Sequence, residues 1–296
     1  MKIVVTHKMY FLEKQVQKLK QLGDVVFYVD SAKSVEEWIK RCKDADVICC
    51  EKKYISNEIL QHFKNVLIVI PYKSHFDIDK ELCRRNNIEI HTFSRKYVEA
   101  VTEWIIGMIF YYYRDLQNLI RIKREKETPV LKLRKSLMNK NITILGNGNI
   151  GIRLAEICKT LGMNVKIYKR NDDLINLVKD ADIIANCLRK NIETENILNN
   201  NFFLNLKQGS FFISVTPINI YDYEAMKRAL DNGILAAVAD DASSKDVGNL
   251  ENEVYQKLLK HQNILVTPHI AWMTDYEAEQ TYDRMIDIIR NWKDEK

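Results

Sequence analysis

The sequence predicts an α/β fold of two doubly wound parallel-sheet domains. Short apolar runs alternate with amphipathic stretches along nearly the whole chain, the pattern of a sheet covered by helices. A length of 296 residues is long for one core and comfortable for two. The segment ITILGNGNIGIRLAEICKTLGMNVKIYKR (142–170) reads as strand, glycine turn, helix and strand in one unbroken unit.

In the first series Ile3–Val5 and Val25–Val29 read as strands, and Val35–Arg41 follows at helical spacing. Val47–Cys50, Val66–Ile70 and Ile88–Thr92 continue the strands, with helical stretches at Asn57–His62 and Ile78–Arg84. Runs that are apolar throughout, not alternately, belong to strands buried on both faces, hence to parallel sheets. Val98 to about Leu119 reads as one long helix, and a basic, weakly patterned connector over 121–139 follows it. The second series has strands at Ile142–Leu145, Val165–Tyr168, Ile183–Cys187, Phe211–Val215, Leu235–Ala239 and Ile264–Thr267. A helix over Asp275–Trp292 closes the chain after Pro268.

Composition narrows the function classes. Hydrophobic content of 46% and charged content of 29% are those of a soluble globular protein. The net charge of +5 is spread along the chain. Its densest basic stretch, RIKREKETPVLKLR (121–134), contains Glu125 and Glu127 and no interleaved aromatics, so a solvated connector is expected and no nucleic-acid site. Six cysteines form no CxxC pair and no metal-like spacing with histidine, and no metal is expected. In VICC (47–50) they serve as small core residues, the usage of a reducing compartment, and the N-terminus has no apolar leader. A cytoplasmic protein is expected. The most apolar stretch, Trp104–Tyr113, is about half the length that spans a bilayer, so it reads as a buried helix and no membrane partner is expected.

The glycine turn carries the most chemistry. Gly146 permits a tight turn, Gly148 lets backbone approach a pyrophosphate, and Gly151 lets the helix pack close to the strand. Asn147, Asn149 and Ile150 complete the turn and open the helix, whose free N–H groups and dipole favour an anion. The unit is that of a Rossmann-like dinucleotide site. An NAD site has Asp or Glu about twenty residues on, to accept from the ribose 2′-OH. Here Lys169 and Arg170 occupy the end of the second strand, and neither can accept a hydrogen bond while both pair with phosphate. The expected cofactor is therefore NADP(H), favoured over NAD(H).

The chain resembles the D-isomer-specific 2-hydroxyacid dehydrogenases, the group that includes glyoxylate and hydroxypyruvate reductases. EAVTEW (99–104), LGNGNIG (145–151), Glu193-Thr194, DYEAMKRALDNGILAAVADD (222–241) and above all TPHIAW (267–272) carry the resemblance. It implies a substrate domain of residues 1–97 plus 271–296, a dinucleotide domain of 98–270, and a cleft between them. It implies His269 as the acid/base that protonates a substrate carbonyl while the nicotinamide delivers hydride, although a histidine after a proline at a strand end also fits a structural cap. Arg189 and Asp240 are implied beside the cofactor. A homodimer through the dinucleotide domain is implied as well, with the aromatic run Phe110–Tyr113 packing either between subunits or in the core.

Several positions depart from the family pattern. Its substrate-clamping arginine falls at Pro217, and its glutamate falls at Asp246, which either still reaches His269 or leaves the carboxylate role empty. The family's glycine-rich substrate loop is replaced by YKSHFDID (72–79), so Lys73, Ser74 and His75 are the candidate substrate contacts. Lys73 or Arg189 is a possible replacement cation for the missing arginine. The leading expectation is an NAD(P)-dependent oxidoreductase, NADPH-dependent, reducing a small 2-oxo acid or related carbonyl. The alternative is a non-catalytic NADP(H)-binding regulatory protein, because proline at 217 offers neither charge nor donor.

Overall fold

The computed structural model describes residues 1–71, 77–93, 97–128, 131–216, 220–241, 256, 260–261 and 263–295. The chain forms two compact α/β units, Met1–Lys96 with Met273–Lys296, and Tyr97–Trp272. Each is built on one parallel sheet.

In the first unit β1 (Lys2–Val5) is followed by α1 (Glu13–Leu22), β2 (Asp24–Phe27), α2 (Val35–Cys42) and β3 (Val47–Cys49). A helical turn, α3 (Asn57–Leu60), β4 (Val66–Ile70), α4 (Lys80–Arg85) and β5 (Ile88–Thr92) complete it. The strands lie in the order β2-β1-β3-β4-β5, all parallel. Every residue of β4 (VLIVI) is buried, as a central strand covered on both faces requires. Helix α1, absent from the sequence reading, buries Leu19 and Leu22 beside a polar side chain, Gln15.

The second unit opens with α5 (Val98–Tyr113) and α6 (Leu116–Glu125). The single long helix expected from Val98 to Leu119 is therefore two helices. The break is at Asp115, which sits in the left-handed region at φ 56°, and its carboxylate takes Lys132 at 3.1 Å and Arg134 at 3.3 Å from the arm that follows. Glu125 and Glu127 neutralise the basic stretch further by pairing with Arg121.

There follow β6 (Asn141–Leu145), α7 (Asn149–Thr160), β7 (Asn164–Tyr168), α8 (Leu174–Val178) and β8 (Ile183–Asn186). Then come α9 (Asn200–Leu204), β9 (Ser210–Ser214), α10 (Tyr223–Asp231), β10 (Leu235–Asp240) and β11 (Ile264–Val266). All six strands are parallel in the order β11-β10-β9-β8-β6-β7. The chain runs outward from β6 to β7 and then crosses back to β8 on the other side of β6. That reversal is a topological switch point, and ligands of open parallel sheets bind beyond the strand ends there.

Helix α12 (Asp275–Asp294) belongs to the first unit. It packs Tyr282, Met285, Ile286 and Ile289 into the core that contains Ile3, Val5 and Leu67. The Gln15 amide donates to the carbonyls of Ala278 and Glu279, and the Trp292 indole N–H donates to Glu89 at 2.6 Å. Cys42, Cys49, Cys50 and Cys158 are buried free thiols, and burial pushes Cys49 up to about 12. Among the described residues no helix is long and apolar enough to cross a membrane.

Candidate functional site

The glycine turn stands at the switch point, where β6 ends between β7 and β8. Gly146 has φ 113°, and a Cβ there would come within 2.9 Å of the Cys187 carbonyl oxygen, just past β8. A Cβ on Gly151 would lie 2.0 Å from the Gly146 carbonyl oxygen, so α7 touches the turn through a glycine contact. Both glycines are demanded by the packing of the protein itself.

Gly148 is different. It has ordinary φ of −75°, and beyond its chain neighbours no atom of the described residues lies within 4 Å of where its Cβ would be. The fold alone does not require glycine here. It is also the N-cap of α7, and no side chain caps that helix. Uncapped N–H groups at a helix start beside open space form a cradle for an anion. Asn149, Ile150 and Gly151 make up the first turn of α7, and Asn147 lies between the two outer glycines of the turn. A dinucleotide pyrophosphate fits this cradle.

At the end of β7, Lys169 and Arg170 are both exposed. The Lys169 backbone N–H donates to Asp172 Oδ2 at 2.8 Å, which fixes the chain as it leaves the strand. The Arg170 guanidinium pairs with Glu193. At the end of β8, buried Asn186 donates to Thr216 Oγ1 at 2.7 Å and ties that strand to the end of β9. Beyond it, exposed Arg189 opens a loop built around Asn191.

The ends of β10 and β11 form a second constellation. Asp240 is fully buried and accepts from the Tyr221 hydroxyl. Burial, with the charge of Asp241 adding to it, pushes Asp240 up to about 7 against the opposing Tyr221 bond. Its other oxygen has no hydrogen-bond partner among the described residues. Asp240 thus faces Tyr221 in the interior.

Its neighbour Asp241 grips the turn that carries His269. Asp241 Oδ1 accepts from Thr267 Oγ1 at 2.6 Å and from the Ile270 N–H at 2.8 Å, while Oδ2 accepts from the Ala271 N–H at 2.8 Å. His269 sits inside that bracket with φ 54°, its own N–H donating to the Thr267 carbonyl at 2.9 Å. A left-handed non-glycine residue persists only where its surroundings over-determine it, and such residues cluster at functional sites. The imidazole is held exposed at the end of β11.

The second unit carries the glycine turn, Lys169, Arg170, Arg189, Asp240 and His269, each at or beyond the carboxyl end of one of its strands. Lys73, Ser74, His75, Pro217 and Asp246 lie outside the described residues. Sequence reasoning overlooked Asp241 and the Arg170 partner Glu193. The doubled acid in AVADD, at the end of an apolar run, was the available signal, because a carboxylate there needs a partner. Nothing in the sequence tells which of the two acids turns inward.

Comparison with known proteins decides the family. Residues 106–271 match the family model described as D-isomer specific 2-hydroxyacid dehydrogenase, NAD binding domain. The chain belongs to the D-isomer-specific 2-hydroxyacid dehydrogenases. A glyoxylate reductase of Thermofilum pendens is 25% identical over 291 residues, covering 90% of this chain and 84% of that protein. A D-lactate dehydrogenase of Staphylococcus epidermidis is 24% identical over 230 residues, 69% of each. Among solved structures, the pyruvate reductase of Chlamydomonas reinhardtii superposes with a TM-score of 0.82 at 19% identity, covering 100% of this chain and 96% of that one. An acyclic imino acid reductase in complex with NADPH and D-Arg superposes with a TM-score of 0.74 at 22% identity, covering 100% and 98%. As a 2-hydroxyacid dehydrogenase the protein is an NAD(P)-dependent oxidoreductase of 2-oxo or 2-hydroxy acids, with its dinucleotide domain in the second unit.

Proposed function

We propose that this dehydrogenase uses NADPH to reduce a small 2-oxo acid or related carbonyl, with His269 as the acid/base. The observation that carries the proposal is the bracketed His269 turn, where Asp241 accepts three hydrogen bonds around an exposed imidazole in a left-handed backbone. The bound nicotinamide supplies hydride to the carbonyl carbon. His269 gives its proton to the carbonyl oxygen as that bond forms, and the neutral imidazole then takes a proton from solvent. Lys169 and Arg170 supply the cations for the 2′-phosphate, and the cradle at Gly148 takes the pyrophosphate.

Substrate binding falls to residues around Lys73, Ser74 and His75, with Asp246 as the carboxylate for His269. Arg189 is the described cation nearest in sequence to the end of β8, and it replaces the family's arginine, whose position holds Pro217. That same proline supports a second reading, a protein that binds NADP(H) and turns nothing over. One experiment separates the two. Oxidation of NADPH is followed with glyoxylate and with hydroxypyruvate, beside an NADH series and a His269→Ala control. Turnover lost in the variant supports the reductase, whereas tight NADPH binding with no turnover on any 2-oxo acid supports the regulatory reading.

The oligomer is proposed to be a homodimer through the second unit. A groove of about 780 Å³ runs between α5–α6 and the sheet, lined by Tyr111, Tyr112, Arg121, Phe211, Ala237 and Leu265. Leu131 and Leu133 of the nearby arm are 97% and 101% exposed, more apolar surface than a solitary arm explains. The six free thiols suit a reducing compartment, and the cytoplasm is the proposed location.

A further inference from the structure

We infer that Glu193 is a cofactor-specificity residue, a built-in counter-ion that competes with the 2′-phosphate for Arg170. The inference rests on the proposed seat of the adenosine ribose at the end of β7. There Arg170, the cation expected to meet a 2′-phosphate, is already paired with the Glu193 carboxylate. In the sheet β6 lies between β7 and β8. The pair therefore reaches from the loop after β7 to the loop after β8, across the end of the strand that carries the glycine turn.

Glu193 is held there by a small folded loop. The Asn191 side-chain oxygen accepts from the N–H groups of Glu193 at 2.9 Å and Thr194 at 3.0 Å. The Thr194 hydroxyl donates to the Arg189 carbonyl at 2.7 Å and accepts the Asn191 N–H at 2.9 Å. The pair itself is exposed, with side chains 72% and 57% accessible, and exposed pairs add little to stability. Its consequence appears when a ligand arrives. A 2′-phosphate must displace the carboxylate from Arg170 and then sit beside a like charge. A ribose 2′-OH instead finds in Glu193 an acceptor that neither Lys169 nor Arg170 offers. Glu193 thus lowers NADPH affinity and supports NADH, narrowing a preference that Lys169 and Arg170 would otherwise make steep.

The test is the dissociation constant of each dinucleotide, by titration of nicotinamide fluorescence, for the wild type, Glu193→Gln, Arg170→Ala and the double variant. Glu193→Gln is expected to tighten NADPH about five- to tenfold, the worth of one exposed charge pair plus the relieved repulsion, without tightening NADH. On the Arg170→Ala background the same change is expected to tighten NADPH markedly less, since the competition needs the guanidinium. A wild type that prefers NADPH, with a Glu193→Gln variant whose NADPH-to-NADH ratio is unchanged, overturns the inference and spares the NADPH reading. A wild type that binds both dinucleotides equally, with Glu193→Gln tightening NADPH alone, overturns the native preference and keeps Glu193 as the determinant. Equal tightening of both dinucleotides in Glu193→Gln overturns the inference as well, because it marks a general charge effect.

Discussion

Replacing Asp241 by Asn tests how the His269 turn is held. The carboxylate accepts from Thr267 Oγ1, the Ile270 N–H and the buried Ala271 N–H at 2.6–2.8 Å. An amide keeps one oxygen, so whichever way it turns at least one of these donors meets an NH2 group. Bonds to a charged acceptor are worth about 1.5–3 kcal/mol each, and a buried donor left facing another donor costs about as much again. The left-handed backbone of His269 stores about 1–3 kcal/mol, which the bracket must hold. Loosening the bracket lets His269 relax, and a displacement of about 1 Å at a reacting group costs about a hundredfold in rate. Asp241→Asn is therefore expected to lower kcat about a hundredfold. NADPH affinity should stay within about threefold, because β9 and β8 separate the strand that leads to Asp241 from the one that leads to the glycine turn. Initial rates over a pH series, with NADPH titrations on the same samples, make the measurement. A variant with lowered Tm but unchanged kcat and pH profile would show Asp241 to be structural only.

Three further outcomes follow from the same geometry. Gly148→Ala should leave Tm unchanged, because a Cβ there meets nothing at ordinary φ, yet weaken NADPH tenfold or more, on the order of one lost phosphate contact, whereas Gly151→Ala should lower Tm outright through its 2.0 Å clash; calorimetry beside dinucleotide titration reads both. Asp240, pushed up to about 7 from 3.8, keeps its proton in the fold where the unfolded chain loses it, so stability should fall as pH rises from about 4 to 7 and level off above. At about 1.4 kcal/mol per pH unit the drop amounts to a few kcal/mol; denaturant unfolding across that window should show it, and Asp240→Asn should flatten it. Leu131→Ser with Leu133→Ser should shift the protein from dimer toward monomer in sedimentation velocity, and a monomeric wild type would remove the homodimer proposal.

The fold was legible wherever apolar runs were dense. β4 and β9 are buried along their whole length, so VLIVI and SFFIS announce central strands without any tertiary information. Helix α1 was legible in the spacing of Val16, Leu19 and Leu22 but went unread; hidden from sequence was only that Gln15 joins its buried face, its amide bonding to carbonyls of α12 more than 260 positions away. The break at Asp115 was equally hidden, since it depends on Lys132 and Arg134 folding back. In the site, the glycine spacing marked the turn, but it could not tell that Gly146 and Gly151 have protein atoms against them while Gly148, among the described residues, meets none beyond its chain neighbours. The basic pair Lys169-Arg170 could be read from the strand end. Its acidic partner could not, because Glu193 arrives from another loop and sequence distance carries no charge pairing.

The proposed reaction is hydride transfer from NADPH to a 2-oxo acid with His269 as proton donor. NADPH deuterated at the transferring position of the nicotinamide, incubated with the protein and glyoxylate or hydroxypyruvate, tests it most directly. Deuterium is expected on the carbinol carbon of the product hydroxy acid with the wild type, with a loss of that product by several orders of magnitude in His269→Ala. Equal labelled product from the wild type and His269→Ala would contradict it.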